Sequence, residues 1–166
     1  MNRRLISISL FICAVLSFSS CKKEDSGSNS AASLNSGQSQ VNCTVSGAAS
    51  SSFKSNTMIS TVLKSTDLIN ISGSALVGTS AQIVMIILPA NATTTTYTSK
   101  SNNSGDFAFS FSDGSTGWAA DSDHDFSVVV TKVTATEIEG TFSGTLVNDD
   151  TNTQVTVKDG SFAAKF

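Results

Sequence analysis

The chain has 166 residues, a formal charge of −3 and 39% hydrophobic residues. That is enough apolar material for one core, so neither a disulfide-stapled miniprotein nor a disordered chain is expected. Ten basic residues stand against thirteen acidic ones with no basic cluster. This argues against a nucleic-acid partner, which needs its phosphates neutralised, and against polybasic contact with anionic lipid.

Asn2-Arg3-Arg4 makes a positively charged start. Residues 5–18 (LISISLFICAVLSF) follow, apolar apart from three serines. A spanning helix needs about 20 mostly apolar residues, and this run is shorter. Its length and basic flank fit a cleaved signal. Phe18-Ser19-Ser20-Cys21 resembles the lipobox of bacterial lipoproteins, a large apolar residue, two small ones and Cys, with Phe18 where Leu is usual. The resemblance implies cleavage before Cys21, a diacylglyceryl group on its thiol and an acyl chain on its amine. Each buried methylene contributes about 0.8 kcal/mol, and two or more chains anchor stably where one does not. The mature protein is thus expected to sit on a membrane without spanning it.

Lys23-Glu24-Asp25 resembles the lysine-then-two-acids signal that sends some Bacteroidota lipoproteins to the cell surface. It implies an outer-membrane protein facing outward. A periplasmic face is the alternative, because the same residues also suit the solvated start of a linker. Loss of residues 1–20 removes Arg3 and Arg4 and shifts the formal charge from −3 to −5. Of three cysteines, Cys13 leaves with the signal and Cys21 is the lipidation site. Cys43 has no partner for an intramolecular disulfide and is expected as a small buried residue.

Residues 22–40 are Ser, Gly, Asn and Ala with few large apolar residues. Such a stretch buries too little surface to offset its ordering entropy and reads as a flexible tether. About 20 residues of it span roughly 25 Å on average.

From residue 41 onward the pattern is β. Ile69, Ile71, Gly73, Ala75 and Val77 recur at period two, as do Phe107, Phe109 and Phe111, then Phe126, Val128 and Val130. Ile138, Phe142 and Leu146 share a face with Gly140 and Gly144, while Glu137, Glu139, Thr141 and Ser143 face away. Phe162, Ala164 and Phe166 close the chain opposite Lys165. Alternation of this kind marks half-buried antiparallel strands. Residues 82–88 (QIVMIIL) are apolar on both faces, which suits a buried central strand ended by Pro89. Thr93 to Thr96 suits an edge strand or a loop. Turn chemistry separates the strands at Asn102-Asn103-Ser104-Gly105, Asp113-Gly114, Asn148-Asp149-Asp150 and Asp159-Gly160.

Glu137-Ile138-Glu139-Gly140-Thr141-Phe142-Ser143-Gly144 and Val155-Thr156-Val157-Lys158-Asp159-Gly160-Ser161-Phe162 form a paired motif. Together with the signal, it resembles the close of an uncharacterised family of small Bacteroidota-type lipoproteins, whose chains end in a Gly-Thr-Phe … Gly-x-Phe hairpin. The resemblance covers about 30 residues plus the signal. It implies fold and location and adds no catalytic residue. In physical terms the motif is a hairpin in which Gly140 permits close packing and Asp159-Gly160 makes a turn or bulge.

Few residues suggest chemistry. Asp121, Asp123 and Asp125 alternate like the start of a calcium loop, but Phe126 and Lys132 stand where an EF-hand needs Gly and Glu. A solvated acidic loop is the plainer reading. His124 is the single histidine and lacks Cys or His partners at zinc spacing. No Gly-x-Ser-x-Gly elbow is present. Glu137 and Glu139 lie on one outward strand face, the usual solvated pattern. Trp118 and Tyr97 are the single Trp and Tyr. Trp118 beside residues 121–125 permits a small sugar site, although a core or rim position suits it better.

The sequence therefore predicts a lipoprotein signal (1–20), a lipidated Cys21 with a Ser-rich tether (21–40), and a single all-β domain (41–166). The domain is expected to be an antiparallel β-sandwich or jelly-roll-like barrel. The expected role is a non-enzymatic binding or structural module with no cofactor and no metal, joined to the membrane by its N-terminal lipid. A glycan or protein is its conceivable ligand. The rivals are a carbohydrate-binding module using Trp118 and, further off, a glycan hydrolase.

Overall fold

Period-two patterning becomes eleven antiparallel strands in a computed structural model that describes residues 30–100, 107–114 and 116–166. The expected signal, Cys21, residues 23–25 and the expected turn at 102–105 lie outside the described residues. The strands are β1 (Gln38–Gly47), β2 (Ser51–Lys54), β3 (Thr61–Lys64), β4 (Leu68–Val77), β5 (Ser80–Pro89) and β6 (Thr96–Thr98). They continue as β7 (Ala108–Asp113), β8 (Thr116–Ala119), β9 (Phe126–Val133), β10 (Glu137–Asn148) and β11 (Thr153–Lys165).

Eight of them close a barrel in the order β11-β1-β3-β4-β5-β7-β8-β10, and β10 returns to β11. β9 and β6 extend the sheet beyond β10, and β2 pairs β1. Two corners hold the closure by one residue pair each, Gln38 with Thr61 and Ala119 with Val147. The barrel is thus two facing sheets: β2-β1-β11-β10-β9-β6 on one side and β3-β4-β5-β7-β8 on the other. This agrees with the sandwich or barrel that the alternation predicts.

The inner rows of both sheets meet in one core. Ile69, Ile71, Val84, Ile86 and Leu88 are fully buried on the β4–β5 side. Phe126, Phe142 and Phe162 fill the other, and Phe109 of β7 reaches across to them, its ring centroid 4.3 Å from Phe126 and 4.8 Å from Phe142. The Gly-Thr-Phe motif explains how such large rings fit. Gly140 pairs with Phe162, Phe142 pairs with Gly160, and Gly144 pairs with Phe126. Each ring covers the glycine opposite. A Cβ on Gly140 would lie 2.6 Å from the Phe162 ring, and one on Gly160 would overlap the Phe142 ring. The absent side chain is therefore what admits the aromatic cross-strand pair. Asp159 takes the other course open to Asp-Gly, a bulge. Its φ is +52°, and around it β11 slips one residue against both β1 and β10.

Three details depart from the sequence reading. Residues 31–40, assigned above to the tether, belong to the folded unit. A 3-10 turn at Ala31–Ser33 lies against β10 and β11, burying Ala31 and Leu34 on Ala163, and β1 already begins at Gln38. Small residues suit close packing there, a property that composition alone does not separate from disorder. Val77, on the inner row by alternation, is half-exposed at the end of β4. Residues 82–88 do form a central strand, β5, between β4 and β7. Its inner row Val84, Ile86 and Leu88 is fully buried, yet Ile83 on the outer row is 38% exposed. Among the described residues no further layer packs on the outside of β5.

Candidate functional site

β7 and β8 join in a tight hairpin in which Asp113 faces Thr116 and Gly114 has φ +64°. By alternation its outward residues are small: Ser110, Ser112, Gly117 and Ala119. β10 curls past the β8 edge at Val147, and the β10–β11 turn rises beside this flat patch. Asn148 fixes the turn. Its Oδ1 accepts the N–H and hydroxyl of Thr151 at 2.8 Å each, and its Nδ2 donates to the Gly117 carbonyl at 2.7 Å. The result is an open notch of about 420 Å³ between the hairpin and the turn, rimmed by Asp149 and Asp150. Hydroxyls, amides and two carboxylates around small residues can hydrogen-bond a small polyhydroxylated molecule.

Trp118 lies at this notch but is only 5% exposed. Its ring stacks at 21° on Phe111, and its Nε1 donates to Thr153 Oγ1 at 3.1 Å. It is a core residue with its polar end satisfied, so no open indole face is offered to a sugar.

The loop at residues 121–125 does not join Trp118 at the notch. Thr153 and Gln154 are adjacent on β11 and so point to opposite sides of the sheet. Trp118 bonds the first from inside, while His124 Nε2 meets Gln154 Nε2 at 2.9 Å from outside. An amide nitrogen only donates, so His124 Nε2 accepts and the ring proton sits on Nδ1. Nδ1 in turn meets both Asp121 carboxylate oxygens at 2.9 and 3.0 Å. Both ring nitrogens are therefore engaged. Burial pushes the Asp121 carboxyl up, but the hydrogen bonds it accepts from His124 and Asp123 outweigh it and hold the carboxyl below its usual range.

Asp121 also accepts the backbone N–H groups of Asp123 and His124, an Asx-type turn. Asp125 pairs with Lys100 at 2.9 Å. Asp121 and Asp125 thus serve different partners, and the three aspartates do not converge on one site. Among the described residues no group of three Asp, Glu, His or Cys side chains is placed to hold a metal ion. Glu137 and Glu139 face outward as expected and both meet Lys132, at 2.7 and 3.5 Å. Cys43 is buried as expected, and burial pushes its thiol up to about 12, far from a reactive thiolate.

The sequence reading missed the notch. Its parts come from β7, β8 and the β10–β11 turn, about 30 residues apart in the chain. The visible signal was the Asn148-Asp149-Asp150 turn, which marks a turn without saying what it faces. No protein family, curated protein or solved structure matches the chain.

Proposed function

We propose that this chain is a lipid-anchored envelope protein that displays one non-enzymatic all-β module from the outer membrane, facing the cell surface. The observation that carries this reading is the Phe18-Ser19-Ser20-Cys21 junction behind a basic, apolar leader. Lys23-Glu24-Asp25 and the paired Gly-Thr-Phe and Gly-Ser-Phe segments add the resemblance to small Bacteroidota-type lipoproteins. The geometry supports a binding or structural role through what its polar groups already do: His124, Asp121, Glu137 and Glu139 are all engaged with neighbouring side chains. Cys21→Ala is expected to abolish incorporation of labelled fatty acid in growing cells. Unchanged labelling would overturn the anchor.

The notch favours a second reading, a site for a small glycan. Asp149 and Asp150 stand on its rim, placed to accept sugar hydroxyls. On a glycan array, Asp149→Asn combined with Asp150→Asn is expected to remove any sugar signal of the parent chain. A signal indifferent to both changes would rule the notch out. Trp118→Ala is the poorer probe, because it opens a cavity in the core.

A further inference from the structure

The barrel has two unlike poles. At one of them the chain enters. Ala31 and Leu34 pack there on Ala163, Ala31 N–H donates to Glu139 at 2.9 Å, and Gly37 N–H donates to the Lys165 carbonyl at 2.8 Å. The β3–β4 turn at 65–67 and the β9–β10 turn at 134–136 lie at the same end. At the far pole stand the β1–β2, β4–β5, β7–β8 and β10–β11 hairpin turns. Ser51 Oγ donates to Gln82 Oε1 at 2.7 Å, and Gly114 N–H donates to the Ala81 carbonyl at 2.9 Å, which ties the first three together. Asn148 Nδ2, on the Gly117 carbonyl, ties in the fourth. The notch opens at this far pole, between the β7–β8 and β10–β11 hairpins. From Glu139 to Asn148 along β10 is about 30 Å, at roughly 3.3 Å per residue.

The poles differ in charge as well. The far turns and the residues that flank them carry Asp113, Asp149 and Asp150 and no Lys or Arg. The entry pole sets Lys64, Lys132 and Lys165 against Asp67, Glu137 and Glu139. An anionic lipid surface therefore repels the far pole and is indifferent to the entry pole.

We propose that the protein stands on its membrane by the entry pole, so that the notch faces away from that membrane and meets its ligand from the opposite side. The inference rests on the Cys21 anchor proposed above. Residues 22–31 join Cys21 to the entry pole, at most about 35 Å of chain. The entry pole reaches the lipid with any part of that length. The notch reaches it only when nearly all of the length runs back along the barrel and three carboxylates approach like-charged headgroups. The notch is thus turned from the lipids of its own membrane and open to a saccharide from the surroundings. The rival contact is the β4–β5 tip, where Leu76 and Val77 are 72% and 50% exposed and could enter lipid.

The test uses the full lipidated chain in vesicles of phosphatidylethanolamine and phosphatidylglycerol that carry a nitroxide on some headgroups. A dye is placed on Ala135→Cys at the entry pole or on Thr79→Cys at the far pole, both exposed turn positions. Buried Cys43 does not compete for the dye. Quenching is expected to be several-fold stronger at Ala135→Cys than at Thr79→Cys. Equal quenching, or stronger quenching at Thr79→Cys, in chains that float with the vesicles would overturn the orientation and leave the anchor standing. Chains that do not float with the vesicles would overturn the anchor, and the orientation with it.

Discussion

Two regions of this barrel, β9–β11 and β4–β5, fill their shared core by opposite means and end with opposite exteriors. On β9, β10 and β11, phenyl rings lie over glycines on the neighbouring strand, and the outside carries Lys132, Lys158, Lys165, Glu137 and Glu139. On β4 and β5, branched aliphatics stand in an ordinary alternating row, and the outside has no charge. The first arrangement is intolerant of added atoms, because each glycine is the space that a ring occupies. The second tolerates small changes of volume inside. Its outer residues are partly exposed and stand outside the core.

Truncation of a ring should separate the sheets most clearly. Phe142→Ala removes a ring packed against Phe109 and Phe162 and covering Gly160. It is expected to cost about 3–5 kcal/mol in urea unfolding. Filling a glycine comes next. Gly160→Val is expected to cost about 3 kcal/mol, because the strand cannot yield without moving Phe142. A loss below that of Ile86→Val would break the comparison at its root. Ile86→Val itself, in the aliphatic row, should cost about 0.5–1.5 kcal/mol.

β1 tests where the boundary runs, for it belongs to the charged sheet yet its inner row is Val41, Cys43 and Val45. The Cys43 thiol is raised from 9.0 to about 12 in the folded chain. Its contribution is fully present below the unfolded value and is lost as pH rises from 9 towards 12. Each pH unit in that window removes about 1.4 kcal/mol at most. Comparison with Cys43→Ala isolates this slope, and native Cys43 should resist alkylation at pH 8 until urea unfolds the chain. The smallest effect belongs to the solvated exterior. Lys132→Ala breaks its contacts with Glu137 and Glu139 at a half-buried site and is expected to cost less than Ile86→Val in urea unfolding.

Much of this fold was legible as alternation. The rows through Ile69, Phe109, Val128, Phe142 and Phe162 all point inward as their period demands, and Asp113-Gly114 and Asn148-Asp149-Asp150 are turns. The candidate site was not. Trp118 and the loop at 121–125 are near neighbours in sequence, yet the two sides of β11 hold them apart. The notch joins segments whose contact depends on the barrel closing at Ala119 and Val147.

What the sequence determined by itself is local: which residues alternate and where the chain turns. Those follow from spacing and side-chain chemistry within a few residues. Only the tertiary structure decided which glycine lies under which ring, that residues 31–40 pack on β10 and β11, and that the apolar outer row of β5 is left uncovered. Each of these depends on strand order and register. Register is a property of two strands at once, and no single stretch of chain contains it.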